Sequence, residues 1–253
     1  MLAIERRNAI LARLSMEGKV VVSDLSREFS VTEETIRRDL EKLDNDGLVK
    51  KTYGGAVKVE SFNIDLPFHI RQQTNVECKQ YIASIIANMI HDGDYIMLDS
   101  STTALYIIKS ILDRKKITLI TNSIEILIEL CNKSDWNIIS TGGVLKEGAL
   151  SLVGYQAERM VSGFHVDLAV CSCKGIDPEM GITDSNERDC EIKKAFFNSA
   201  NKRILAVDSS KFDITSFVKV CDINNVDVIV TDKDPGERWN ERIKDAGSTL
   251  MFE

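Results

Sequence analysis

The chain has 253 residues, 43% of them hydrophobic and 28% charged, with a formal net charge of −7. That length suits two domains at ~100–200 residues each, and the composition is that of an ordinary globular protein, which excludes the disordered and fibrous classes. No run approaches the ~18 uninterrupted apolar residues of a membrane span, and the charged, amphipathic start "MLAIERRNAILARL" lacks the apolar core of a secretory signal, so a cytoplasmic protein without a membrane partner is expected.

The charge is unevenly spread. Residues 1–57 hold ten basic and ten acidic residues, while the remaining 22 basic and 29 acidic residues carry the whole deficit. A neutral module can still bind DNA if its basic residues share one face. In chain order, Ile4, Ile10, Leu11 and Leu14 predict a first helix ended by Gly18. "KVVV" is a short β-branched run, and "SDLSREFS" predicts a second helix with Ser23 as N-cap. "VTEETIRRDLEKLDNDG" predicts a third, capped by Thr32, buried through Ile36, Leu40 and Leu43, and stopped by Gly47. "LVKKTYGGAVKVE" alternates around Gly54 and Gly55 and predicts a hairpin.

Three short helices and a terminal hairpin make a winged helix-turn-helix over residues 1–57. Its third helix presents Thr35 and Arg38, with Arg37 alongside, to the major groove of double-stranded operator DNA, where guanidinium forks suit guanine edges and phosphates. Lys50 and Lys51 lie in the wing, placed to meet phosphate. The plain alternative is a solvated helix face on which Arg37 and Arg38 pair with Glu33, Glu34 and Glu41.

Residues 58–74, "KVESFNIDLPFHIRQQT", lack clean periodicity and read as a linker, with Phe68 and Arg71 as candidates for docking it onto the second domain. From 75 to 253 helical and strand patterns alternate. "NVECKQYIASIIANMI" is helical, and strands are expected at "YIMLD", "ITLIT", "NIIST", "DLAVCS", "RILAVD", "DVIVT" and "TLMFE", with helices at 103–113, 123–132, 154–162, 187–201 and 236–246. Apolar strands separated by helices predict an α/β domain with an open, largely parallel sheet covered on both faces. Ligands of such sheets bind outside the carboxyl ends of the strands. The polar residues gather there: Asp99, Ser100, Ser101, Thr102 and Thr103 after one strand; Thr121, Asn122 and Ser123 after the next; then Thr141, Gly142 and Gly143; Lys174 and Gly175; Asp208, Ser209, Ser210 and Lys211; and Thr231 and Asp232. Singly each is an ordinary turn or cap. Together they make a rim of hydroxyls, amides and two lysines that suits a phosphorylated polyol.

"ERRNAILARLSMEGKVVVSDLSREFSVTEETIRRDLEKLDNDGLVKKTYGGAV" resembles the DNA-binding domain of the DeoR family of bacterial transcriptional regulators, most specifically in "TIRRDL" and "GLVKKTYGGAV". Tyr53 stands where many members carry histidine. Along 75–253, "LDSSTT", "ITLITNS", "TGG", "LVGYQAE", "CKGIDPEMGITDSNERDCEIKKA", "VDSSKF" and "VIVTD" resemble that family's effector domain, whose fold is related to ribose-5-phosphate isomerase. The resemblance implies phosphate contacts at Ser100, Ser101, Thr102 and Thr103, and sugar contacts near Asp99, Asn122, Lys174 and Lys211. Glu187 and Lys193 lie on a helix whose start is placed to close over the site. Ser101 replaces the family's usual glycine; if that glycine sits at positive φ, Ser101 is strained or the turn differs.

The expected function is that of a repressor working as a homodimer or homotetramer, whose effector is a phosphorylated sugar or related metabolite. No enzyme activity, cofactor or metal is expected. Two alternatives remain at this level. A sugar-phosphate isomerase with a nucleic-acid module needs a positioned carboxylate base; Asp177 and Glu179 lie in the corresponding loop, but Asp177 precedes Pro178 in what reads as a turn. A redox-sensing regulator would use Cys171 and Cys173, which face the same side of a strand.

Overall fold

The stripe that predicts the first helix is buried at Ile10, Leu11 and Leu14, whereas Ile4, nearer the start of the chain, stays exposed. The structure, a computed structural model, describes residues 1–57, 66–146 and 148–252, apart from the side chains of Ser15 and Met16. These residues fall into two units, 1–74 and 75–253. Residues 58–65 of the expected linker lie outside the described residues.

The first unit runs α1 (Ala3–Glu17), β1 (Lys19–Val21), α2 (Val22–Phe29), α3 (Glu33–Asn45), β2 (Lys50–Thr52), β3 (Gly55–Val57) and α4 (Phe68–Gln73). Gly18 ends α1 at φ 74°, a left-handed conformation that glycine adopts without a Cβ penalty. α2 begins two residues before the expected start, with Val21 at the N-cap instead of Ser23 and Ser23 inside the first turn, because Val22 is drawn into the core. Thr32 caps α3, its Oγ1 accepting from the Thr35 N–H at 3.3 Å. Ile36, Leu40 and Leu43 of α3 pack with Leu25, Val49 and Ala56 into one core. The buried Asp39 carboxylate joins α3 to α1 through Arg6 at 2.5 Å and Arg7 at 3.6 Å.

The wing is an antiparallel sheet of order β1-β3-β2. Gly54 turns the hairpin at φ 89°. Gly55 serves another need: a Cβ there would lie 2.0 Å from the Val20 carbonyl oxygen, so only glycine lets β3 lie against β1. α4, in the stretch read as aperiodic, packs on α1 and places Ile70 in the first unit's core. Arg71 lies over the Phe68 ring at 5.5 Å and donates from Nε to the Leu66 carbonyl.

The second unit runs α5 (Val76–Ala87), β4 (Tyr95–Leu98), α6 (Thr102–Ser110), β5 (Thr118–Thr121), α7 (Ile124–Glu129), β6 (Asn137–Ser140), β7 (Val144–Lys146), β8 (Ser151–Val153), α8 (Tyr155–Val161), β9 (Val166–Cys171), β10 (Gly175–Asp177), β11 (Gly181–Asp184), α9 (Glu187–Asn198), β12 (Ala200–Ala206), β13 (Val218–Cys221), β14 (Val228–Val230), α10 (Glu237–Asp245) and β15 (Thr249–Met251). The seven expected strands form one sheet of order β15-β14-β12-β9-β4-β5-β6, parallel at every pairing. Met97, Ile120, Ala169, Leu205 and Ile229 share a core with α8, α9 and α10. Alternation along β4 turns Ile96 and Leu98, also fully buried, to the opposite face.

Two smaller sheets go beyond the sequence expectation: an antiparallel β10-β11-β13 sheet and the β7–β8 hairpin. Each strand in them is three or four residues long and interrupted by a polar residue or glycine, so none offers the apolar run that marks the strands of the main sheet. Among the described residues no helix is long and apolar enough to cross a membrane.

Candidate functional site

In the first unit, α3 leaves Arg37 and Arg38 exposed and Thr35 half-buried. Thr35 Oγ1 lies 2.9 Å from the hydroxyl of the capping Thr32. The arginines are paired along the helix, Arg37 with Glu33 at 2.5 Å and Arg38 with Glu34 at 3.4 Å. Both pairs are solvent-exposed, so each is worth only ~0–1 kcal/mol and exchanges readily for a competing anion. Lys50 and Lys51 are exposed in the wing, beside a fully exposed Tyr53. The Lys51 amide donates to Asp44 Oδ1 at 2.9 Å, which ties the wing to the end of α3.

In the second unit the chain turns back on itself between β4 and β9. From β4 it winds outward through β5 and β6, and from β9 outward the other way through β12, β14 and β15. Open α/β sheets bind ligands at such a reversal, outside the carboxyl ends of the strands, here those of β4 and β9. The candidate residues lie on four neighbouring strands at that edge: Asn122 after β5, Asp99 to Thr103 after β4, Lys174 after β9 and Lys211 after β12.

Asp99 stands at the reversal and spans it. Its Oδ1 accepts from the Ser101 N–H at 3.0 Å, and its Oδ2 from the Ser172 N–H, past the end of β9, at 2.9 Å. Ser101 caps α6, its Oγ accepting from the Ala104 N–H at 3.0 Å. Its φ is −73°, so the turn requires no left-handed residue and serine replaces glycine without strain, contrary to the concern raised by the family pattern. Thr102 and Thr103 open α6, where amides lack intrahelical acceptors and the helix dipole favours an anion.

Lys193 of α9 is the buried cation behind this loop. It pairs closely with Asp184, at the end of β11, and lies 3.7 Å from Asp99 Oδ2. Burial pushes the Asp184 carboxyl up, but the Lys193 ammonium outweighs it and the carboxyl is held low. Burial likewise works against the Lys193 charge, and Asp184 and Asp99 more than restore it, raising its pKa well above the usual lysine value. Lys174 lies near enough for its charge to lower Asp184 further, and its N–H donates to the Thr183 carbonyl at 3.1 Å. A bridge between Ile176 and Phe212 brings the loop carrying Lys211 beside the one carrying Lys174. Glu187 is exposed on the first turn of α9. Asp184 and Ser172 escape a reading by composition, because a carboxylate ending a strand and a serine before a lysine look like turn residues.

Asn122 is buried at the end of β5, its Nδ2 donating to the Leu152 carbonyl at 3.0 Å. Thr121 donates from Oγ1 to the Leu98 carbonyl at 2.7 Å and so stitches the ends of β4 and β5 together.

Asp177 is a turn residue. Its Oδ1 accepts from the Glu179 and Met180 amides at 2.9 and 2.8 Å, and its Oδ2 from Thr215 Oγ1 at 3.0 Å. The Met180 amide is the main cause of its lowered pKa, and a carboxylate so stabilised is a weak proton acceptor. Cys171 and Cys173 share the core. Burial pushes the Cys171 thiol well up and that of Cys173 to about 12, the reverse of a reactive thiolate. A cleft of about 430 Å³ at the other end of the sheet is lined by Lys194, Arg203 and Lys219. These pair with Glu191, Asp227 and Asp222, so their charge is already compensated.

Residues 6–62 match the family model of the DeoR-like helix-turn-helix domain, and residues 74–233 that of the DeoR C terminal sensor domain. An uncharacterized HTH-type transcriptional regulator of Bacillus subtilis, YulB, is 42% identical over 92% of this chain and 90% of its own length. The L-fucose operon activator of Haemophilus influenzae is 33% identical over 90% of this chain and 91% of its own. The glycerol-3-phosphate regulon repressor of Escherichia coli is 29% identical over 91% of each chain. Among solved structures, ribose 5-phosphate isomerase A from Methanocaldococcus jannaschii aligns over 55% of each chain at 16% identity and a TM-score of 0.41, a likeness too distant to bear on function.

Proposed function

Since the chain belongs to the DeoR family of transcriptional regulators, we propose that it is a repressor whose hold on double-stranded operator DNA is set by a phosphorylated sugar or related metabolite bound at the rim of the second unit. The observation that carries this reading is the position of Asp99 to Thr103. The capped start of α6 lies at the chain reversal between β4 and β9, where an α/β sheet has its crevice. A phosphate there meets first-turn amides and hydroxyls at Ser100, Ser101, Thr102 and Thr103, while Asp99, Asn122, Lys174 and Lys211 surround the sugar. Among the relatives, the glycerol-3-phosphate regulon repressor supports the ligand class and the repressor reading, while the L-fucose operon activator carries the opposite sign.

On the DNA side, Thr35, Arg37 and Arg38 read the groove, and Lys50 and Lys51 hold the backbone. The protein works as a homodimer or homotetramer, because one winged module gains specificity by pairing half-sites with two-fold symmetry. A ligand shifts an equilibrium only by its differential affinity for two states, so the metabolite binds one arrangement of the paired modules more tightly than the other.

The test is calorimetric titration of the full chain with phosphorylated sugars, with and without operator DNA. Coupling of ~1–3 kcal/mol changes metabolite affinity by about 5- to 150-fold, and operator affinity by the same factor. A chain that binds sugar phosphate equally with and without operator is not a metabolite-controlled repressor.

A further inference from the structure

At the junction of β5 and the β7–β8 hairpin, two buried polar atoms have no hydrogen-bond partner among the described residues: Asn122 Oδ1 and Ser151 Oγ. The two residues are 1% and 0% exposed. Such atoms are costly and rare in folded proteins. They belong to one small structure. The Leu152 N–H donates to the Asn122 carbonyl at 2.8 Å, the Ile124 N–H donates to the Leu150 carbonyl at 2.9 Å, and Ser123 and Ser151 face each other across this antiparallel bridge. The hairpin is also tied through Lys146, opposite Ser151 in the register, which pairs with Asp189 on α9, one turn before Lys193.

The chemistry of the two atoms limits what can satisfy them. The Leu152 carbonyl accepts from Asn122 Nδ2, which fixes the amide and turns Oδ1 away from it. Oδ1 can only accept, whereas the Ser151 hydroxyl can donate or accept. A deprotonated phosphate oxygen has no proton for Asn122, and an apolar group leaves both atoms unmet. An alcohol O–H serves either one.

Resting on the function proposed above, we propose that Asn122 and Ser151 form the subsite for the ligand's hydroxyl groups, with Ser151 as a specificity-determining residue that makes the rim select a phosphorylated polyol over phosphate itself. The anionic end sits at Ser100 to Thr103, and the hydroxyl-bearing end reaches across to the end of β5 and the hairpin. The β7–β8 hairpin is then a wall of the site rather than a surface ornament.

The experiment is calorimetry on the full chain and its Ser151→Ala variant with glycerol, pentose and hexose phosphates and with inorganic phosphate. Each sugar phosphate that binds the parent chain loses roughly tenfold in affinity in the variant, the effect of one lost hydrogen bond, while inorganic phosphate binds both proteins alike. The variant's thermal midpoint does not fall, since the change removes an unmet polar atom. A deoxy analogue lacking the contacted hydroxyl binds parent and variant equally. Unchanged sugar-phosphate affinity in Ser151→Ala overturns the subsite and leaves the pair to an internal water. An equal loss for phosphate and sugar phosphate also overturns it, because the variant then acts through the phosphate loop. A parent chain that binds none of these sugar phosphates overturns the function proposed above together with the subsite.

Discussion

The two units handle charge in opposite ways. On α3, Arg38 and Glu34 pair at the surface, their side chains 78% and 63% exposed; at the rim, Lys193 and Asp184 are 10% and 4% exposed. An exposed pair is worth little, so DNA can displace the glutamate at small cost. A buried pair holds its geometry because removing one partner strands the other in a poor solvent. The proposed DNA face is therefore an exchangeable surface, whereas the proposed ligand rim is held by buried pairs, with Asp99 fixed by Lys193 and by the Ser101 and Ser172 amides.

The strongest way to break that contrast is Lys193→Met. It leaves Asp99 and Asp184 buried without their cation and should destabilise the second unit by about 3–5 kcal/mol in urea denaturation. In the parent chain the Asp184 carboxyl is held low: burial opposes its charge and Lys193 prevails. Its folded pKa lies below the unfolded one, so its contribution is present above the unfolded value and lost as pH falls through the folded one. In the variant the uncompensated Asp184 carboxylate favours protonation, and the gap from the parent chain should narrow on acidification. A gap that stays constant with pH would show that Lys193 does not hold the Asp184 carboxylate ionised.

Gly55→Ala attacks the other unit. Its Cβ would meet the Val20 carbonyl oxygen at 2.0 Å, a backbone atom that cannot swing aside. The cost should be about 1–3 kcal/mol or more. Operator binding should fail in gel shifts, while sugar-phosphate affinity of the same protein is retained.

Arg38→Ala sharpens the comparison without unfolding anything. Stability should change by no more than about 0.5 kcal/mol, as at other exposed sites, while operator affinity falls by about 1–3 kcal/mol with relaxed base preference. Lys51→Ala should weaken all DNA sequences alike and reduce the salt slope by about 1. If the Arg37→Ala, Arg38→Ala double variant binds operator as the parent does, α3 is not the reading helix.

The smallest effect is expected at the cysteines. Cys131 is exposed, whereas Cys171 and Cys173 are buried with raised pKa values. Alkylation of the folded protein, followed by mass spectrometry, should mark Cys131 and spare the other two. Rapid labelling of Cys171 or Cys173 would revive a redox-sensing role.

Much of this molecule was legible from local pattern. The buried stripe of α3, the Thr32 cap, the wing glycines and the seven apolar strands each declare themselves within a few residues, because helix and strand periods are local and caps act over one turn. Val22 entered the core and moved the start of α2 past the expected Ser23 cap, and Ile70 gave α4 a core to join where the sequence showed no period. What only the tertiary structure decided is which elements meet. Strand order is a long-range choice: β4 pairs with β9 about seventy residues away, and that pairing creates the reversal on which the candidate site stands. Lys193, Asp184 and Asp99 come from a helix and two strand ends, and no spacing in the chain announces their convergence. Ser151 is one hydroxyl among many until the hairpin pairs it with Ser123, next to Asn122 in the chain. Periodicity reports which face of an element is buried; packing alone determines what that face is buried against.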